Sequence, residues 1–146
     1  MRVLALGGAG AVGSEATRDL ARYSDFSEIV IGELDVKKGK RLAAEIGDAR
    51  LSVLHIDAND YDRLVEIFKG FDVVMNGLPY KFDLMVNKAA VEAGVNGLDL
   101  SSKDEQFAFD EEARNKGITF IPGLGATPGI TNVMARRGVA YLDRVD

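Results

Sequence analysis

The residues best suited to chemistry lie near the N-terminus. Gly8-Ala9-Gly10-Ala11-Val12-Gly13 has the spacing G-x-G-x-x-G, directly after the apolar run Val3-Leu4-Ala5-Leu6 and at the head of a segment with helical spacing. In that context of strand, turn and helix, the three glycines do different work. Gly8 permits a tight turn, Gly10 lets a pyrophosphate approach the backbone, and Gly13 lets the helix pack close to the strand. The helix start at Ala11 and Val12 then offers free N–H groups and a partial positive charge to phosphate. An anionic cofactor can bind there without Lys or Arg. The alternative is a glycine turn that only shapes a βα corner. Glu33 follows Ile29-Val30-Ile31-Gly32, twenty residues beyond Gly13. A dinucleotide fold places an acid there to accept hydrogen bonds from the adenosine ribose hydroxyls. The same carboxylate repels a 2′-phosphate, and Leu34 rather than Arg comes next. The expected cofactor is therefore NAD. NADP is possible through Lys37 and Lys38, whose alternative is plain exposure in the first turns of a helix.

In a doubly wound sheet, ligands collect at the carboxyl ends of strands. Several polar or special residues follow apolar runs in this way. Asp57 and Ala58 come first, with Asp57 placed to hydrogen-bond adenine. Asn76-Gly77-Leu78-Pro79 comes next, its Gly and Pro bringing backbone close to a ribose or nicotinamide. Tyr80 and Lys81 then point toward a substrate, Asp99, Ser101 and Ser102 end the fifth run, and Gly123–Gly129 with Asn132 follows the sixth. For general acid–base work, Tyr80, Lys81 and Asp99 are the placed groups. Each has a plain structural alternative. Asp57 and Asp99 can be helix caps, Tyr80 half-buried packing, Lys81 surface, and Asn132 a solvent-facing residue of a first turn. His55 reads as a core histidine. Phe68, Phe71, Phe107, Phe109 and Phe120 read as packing.

These residues need elements to hold them. Apolar runs at 3–6, 28–31, 52–56, 72–76, 95–100 and 118–121 alternate with amphipathic stretches at 11–22, 36–46, 60–68, 82–92, 103–115 and 130–141. The runs are continuously apolar, as in strands buried on both faces of a parallel sheet. The expected fold is α/β, a doubly wound parallel six-stranded sheet of the Rossmann type. Eighteen Lys plus Arg against 23 Asp plus Glu give a formal charge of −5, which argues against a nucleic-acid partner. The absence of cysteine and a single histidine exclude thiolate chemistry and a multi-histidine metal cluster, so no metal is expected. No apolar run approaches the ~18 residues that span a bilayer. The N-terminal run stops at Gly7-Gly8, too early for a signal peptide. The expected location is cytoplasmic.

Three stretches carry a more specific signal. They are Val74-Met75-Asn76-Gly77-Leu78-Pro79-Tyr80, Ala93-Gly94-Val95-Asn96-Gly97-Leu98-Asp99-Leu100-Ser101, and Gly123-Leu124-Gly125-Ala126-Thr127-Pro128-Gly129-Ile130-Thr131-Asn132. Together they resemble the N-terminal half of the saccharopine dehydrogenase family, over essentially the whole chain. The resemblance implies that Gly8, Gly10, Gly13, Glu33, Asp57, Asn76 and Pro79 line the cofactor, with Ala11, Val12, Ala58, Leu78 and Ser101 beside them. It implies that Tyr80, Asp99 and Asn132 border the substrate cleft as the candidate catalytic residues. Glu33 departs from the Asp found in many members. The implied organisation is an NAD(P)-binding domain over 1–130, then a connecting helix and the start of a second domain over 131–146. That second domain supplies substrate contacts and the dimer interface in full-length members. The implied activity is oxidation or reduction of a C–N bond in a small amino-acid or polyamine precursor, by a homodimer. A nucleotide-sensing module without catalysis is the competing expectation. A Tyr-x-x-x-Lys site is excluded, because Leu84 stands four residues after Tyr80.

Overall fold

In the computed structural model, which describes residues 1–100 and 103–144, the apolar runs become β1 (Arg2–Leu6), β2 (Glu28–Glu33), β3 (Leu51–His55), β4 (Val73–Asn76), β5 (Asn96–Asp99) and β6 (Phe120–Ile121). Between them lie α1 (Gly13–Tyr23), α2 (Val36–Ile46), α3 (Tyr61–Phe68), α4 (Asp83–Ala93) and α5 (Asp110–Lys116), and α6 (Ile130–Val139) comes last. Every strand pairing is parallel, in the order β3-β2-β1-β4-β5-β6. The chain starts in the middle, winds out to β3, returns to β4 beside β1 and winds out the other way. The crossovers therefore diverge between β1 and β4, where such sheets open a ligand crevice.

Local chemistry explains the element ends. Asp35 caps α2 by accepting from the backbone N–H of Lys37 and Lys38, and Asp60 caps α3 by accepting from Arg63 N. Left-handed glycines at 47, 94 and 117 close α2, α4 and α5.

Successive β1 residues point to opposite faces, as a strand requires. Leu4 and Leu6 join Val30, Leu64, Phe68 and Val86 in the larger core, under α3 and α4. Val3 and Ile29 meet Ala21, with Leu20 and Ile46 alongside, under α1 and α2. Helices thus cover both faces of the central strands.

Several expectations change. The helix expected over 103–115 is a 3-10 segment, Asp104–Phe109, followed by α5. Within it Gln106 is buried, accepting from Lys103 N and donating to the Asp99 carboxylate. A second 3-10 turn, Tyr80–Phe82, precedes α4. β3 is an edge strand, only partly covered, so His55 is exposed rather than in the core. Phe107 is 61% exposed and does not pack inward. Ala11 and Val12 form a turn, and α1 begins at Gly13. Among the described residues, no helix is long and apolar enough to cross a membrane. Nor do three His, Cys, Asp or Glu residues group to hold a metal ion.

The end of α1 is held from outside. The Arg50 guanidinium donates to the carbonyls of Ala21, Ser24 and Phe26, satisfying acceptors a helix end leaves free. Asp48 holds Arg50 in place at 2.7 Å. The side-chain hydrogen bonds from Arg50, then its backbone N–H, keep the Asp48 carboxyl below the usual carboxylate range. A lowered folded-state pKa adds stability above the unfolded value and loses it as pH falls through the folded one. Asp48→Asn should therefore lower the urea midpoint at pH 7, and the gap to wild type should close on acidification below about pH 3.8. Phe68 is fully buried. Phe68→Ala should cost about 3–5 kcal/mol in urea unfolding.

Candidate dinucleotide site

Strand register assembles the site. Leu6 at the end of β1 pairs with Gly32 on one side and Asn76 on the other, and Asn76 pairs with Asp99. The carboxyl ends of β2, β1, β4 and β5 therefore stand in one row, with the glycine loop rising from its middle.

Backbone bonds from Gly7 N to Gly32 O and from Gly77 N to Leu6 O, both 2.8 Å, tie the loop base to the neighbouring strands. A Cβ on Gly13 would sit on the Gly7 carbonyl oxygen, so only glycine lets α1 start this close to the loop. A Cβ on Gly10 would meet only Gly7 O, at 3.1 Å. That side of the loop is otherwise open, which fits a pyrophosphate lying against the backbone. Ala11 and Val12 are exposed at the first turn, where N–H groups lack intrahelical acceptors. Thr17, fully buried, donates from its hydroxyl to Gly8 O at 2.8 Å and locks the loop to α1. The Glu33 carboxylate accepts from Ala9 N at 2.8 Å. The acid at the end of β2 thus reaches the loop directly.

The other candidates divide. Asn76 is buried; its amide donates to Asp83 at 3.0 Å and accepts from Leu78 N at 3.1 Å. It acts on the strand exit by holding Leu78, which leaves Pro79 exposed beyond it. Asp57 is exposed and forms a turn with Asn59, accepting from its N–H and amide at 2.9 and 2.8 Å. Those bonds, backbone first, lower its pKa. It does not cap the next helix, since Asp60 does. Ala58 is buried in the larger core.

Tyr80 is 70% exposed rather than half-buried, with the Lys103 ammonium 5.2 Å from its ring centre. Lys81 lies over the Phe82 ring. Asp99 is fully buried. One carboxylate oxygen accepts from Gly123 N at 2.9 Å and the other from the Gln106 amide, while its carbonyl accepts from Leu124 N. It is no helix cap. Asn132 is exposed and accepts from Gly129 N at 3.1 Å, closing the turn into α6. Asp99 faces inward while Tyr80 and Asn132 face solvent, so the three present no common surface. Ser101 and Ser102 lie outside the described residues.

The structure brings the glycine loop and Glu33 together through the Ala9 N bond. Gly7, Ala9 N, Thr17, Asp83 and Gln106 were not read from the sequence. For Thr17 a signal existed: it stands between Gly13 and Ala21 on the buried stripe of α1. Gly13→Ala should weaken NADH binding at least about tenfold by calorimetry, because the added carbon displaces the loop backbone.

The residues at 3–121 match the model of the saccharopine dehydrogenase NADP-binding domain. The chain is 30% identical over 159 aligned residues to the carboxyaminopropylagmatine dehydrogenase of Synechocystis, covering 95% of this chain and 40% of that protein. It is 28% identical to the carboxynorspermidine synthase of Vibrio alginolyticus, with the same coverage. In structure it is similar to apo saccharopine dehydrogenase (L-Glu forming) from Saccharomyces cerevisiae. That match has a TM-score of 0.83 at 24% identity, over 95% of this chain and 30% of the other. The chain therefore spans about two-fifths of the length of these two relatives. It belongs to the saccharopine dehydrogenase NADP-binding domain family.

Proposed function

We propose that this chain is the cofactor-binding part of an oxidoreductase, that it prefers NAD, and that the intact protein acts on a C–N bond of an amino-acid or polyamine precursor. The observation that carries the cofactor reading is the position of Glu33, at the end of β2 and bonded to Ala9 N. A carboxylate there accepts from ribose hydroxyls and repels a 2′-phosphate. Leu34 beside it is apolar and 61% exposed. Lys37 and Lys38 give their backbone N–H groups to Asp35 and read as the first turn of α2. The NADP reading keeps support from the description of the family and from those two exposed ammonium groups.

When bound, the nicotinamide supplies hydride chemistry, and the protein supplies placement and proton handling. The glycine loop and the start of α1 would hold the pyrophosphate, and Glu33 would bond the adenosine ribose. Asp57 and Ala58 follow β3 and are assigned to the adenine side, and Ser101, assigned to the strand-five exit, lies outside the described residues. Asn76, which accepts from Leu78 N, would place the Leu78–Pro79 backbone beside the nicotinamide end. Tyr80 is the exposed proton-bearing group next to that exit, and we assign it to the substrate side. Asp99 and Asn132 act as positioning residues, through Gly123 and Gly129. The substrate class rests on the names of the two relatives, both concerned with carboxylated polyamines.

Residues 131–146 lead, in this reading, into a further unit that completes the substrate cleft of a cytoplasmic homodimer. Its support is the apolar exposure of Ile130, Val133 and Met134 along α6, each above 60%.

Titration of the intact protein with NADH and NADPH tests the cofactor reading. Wild type should bind NADH more tightly. Glu33→Gln keeps an oxygen for Ala9 N but loses the charge, so it should shift preference toward NADPH at least about tenfold, or 1.4 kcal/mol. Glu33→Ala loses the loop contact as well and should weaken both. Tighter NADPH binding by wild type would overturn the NAD preference. Cofactor binding without turnover of any carboxylated polyamine or amino acid would favour the sensing module.

A further inference from the structure

Among the described residues, three Lys or Arg are half-buried: Arg18, Arg50 and Lys103. A charge partly withdrawn from water is normally met by an opposite one. Arg18 pairs with Glu45 at 2.9 Å and Arg50 with Asp48 at 2.7 Å. Lys103 enters no ion pair among the described residues. Its ammonium stands 5.2 Å from the centre of the Tyr80 ring, over the electron-rich face. Lys81, on the same turn as Tyr80, is exposed and lies over the Phe82 ring instead.

Strand register puts Lys103 there. Asn76 and Asp99 are partners at the ends of β4 and β5. Tyr80 stands four residues beyond the first, and Lys103 four beyond the second. Their contact joins the loops that leave these two strands, at the sheet edge that also carries the glycine loop. A buried amide fixes the Lys103 backbone: Gln106 accepts from Lys103 N at 2.9 Å and donates to the Asp99 carboxylate. The main chain of Lys103 is thus tied to the strand end through the core, and its ammonium is left with a ring face. Packing of the aliphatic stem alone would be met as well by methionine. The ammonium adds what methionine lacks, a charge with three N–H donors open to an anion.

We infer that Lys103 is a specificity-determining residue, binding a carboxylate of the substrate beside Tyr80. The inference rests on the assignment of Tyr80 to the substrate side and of carboxylated precursors as the substrate class. A charge-assisted bond of this kind is about twice as strong as a neutral one. Holding that carboxylate sets which end of the substrate lies at the exit of β5.

Steady-state kinetics of the intact protein test this. The probes are saccharopine, carboxynorspermidine and carboxyaminopropylagmatine, and the measurement uses the one turned over fastest. Lys103→Met keeps the stem and loses the charge, so KM for that substrate should rise at least about tenfold. The KM for the cofactor and the melting temperature should stay unchanged, and kcat should fall less than KM rises. Lys103→Arg should restore most of the affinity, and Lys103→Glu should raise KM beyond the methionine variant. Lys103→Gln gives the same comparison if the methionine variant does not fold. Lys88 lies over the Tyr61 ring in a similar way, at 5.2 Å, but on α4; Lys88→Met should change nothing. Turnover with an unchanged KM in Lys103→Met would overturn the proposal while leaving the oxidoreductase reading in place. An equal rise in the arginine and methionine variants would do the same, since shape rather than charge would then decide. Turnover of none of the three probes would remove the substrate class and the proposal with it.

Discussion

Backbone lies on backbone where α1 leaves the glycine loop, and no side chain separates them. The Gly7 carbonyl occupies the space that a Cβ of Gly13 would need. Because α1 starts there, its axis is fixed against β1, and Thr17 one turn on reaches the Gly8 carbonyl. Because the loop is pinned, Ala9 N stands within reach of Glu33 on β2. The three parts of a dinucleotide site, turn, helix start and acid, are thus coupled by one close approach. This is pre-organisation in a literal sense: the donors and the acid are set before any ligand arrives, so little ordering is left to oppose binding.

On the other half of the sheet, buried side chains do comparable work on loops. Asn76 spans Asp83 and Leu78 N; Asp99 spans Gln106 and Gly123 N. Both are at strand ends, where the ladder stops and backbone N–H groups would otherwise need other partners. A polar side chain at the last position of a strand can supply one from within the core. Such residues look like site residues in sequence because they sit where ligands sit. Here their side chains bond neighbouring backbone and side chains and set the path of the loops that follow the strands.

That distinction marks how far the sequence could be read. Strand and helix alternation was legible because the apolar runs are short and unbroken and their ends carry Gly, Pro or Asp. The glycine loop and Glu33 were legible because fixed spacing encodes fixed geometry. Long-range hydrogen bonds left no such trace. The partner of Asp99 is Gln106, within a segment whose helical spacing hid a 3-10 turn. His55 looked like core because β3 reads as apolar, but a strand at the border of a sheet has one neighbour, and its end is open to water. Phe107 looked like packing because aromatic residues usually are, and in the 3-10 segment it is largely exposed.

The two borders of the sheet differ in length, and this bears on association. β6 offers two residues, Phe120 and Ile121, while β3 offers five, Leu51–His55. An outer strand with unpaired N–H and C=O groups is a template for another chain, and very short ones template poorly. Within the described residues, unwanted strand addition is therefore directed to the β3 border. Its sequence there is Leu-Ser-Val-Leu-His, flanked by Arg50 and Asp57. Arg50, just before that strand, has its guanidinium committed to Asp48 and the end of α1, so the strand border itself carries no Asp, Glu, Lys or Arg side chain.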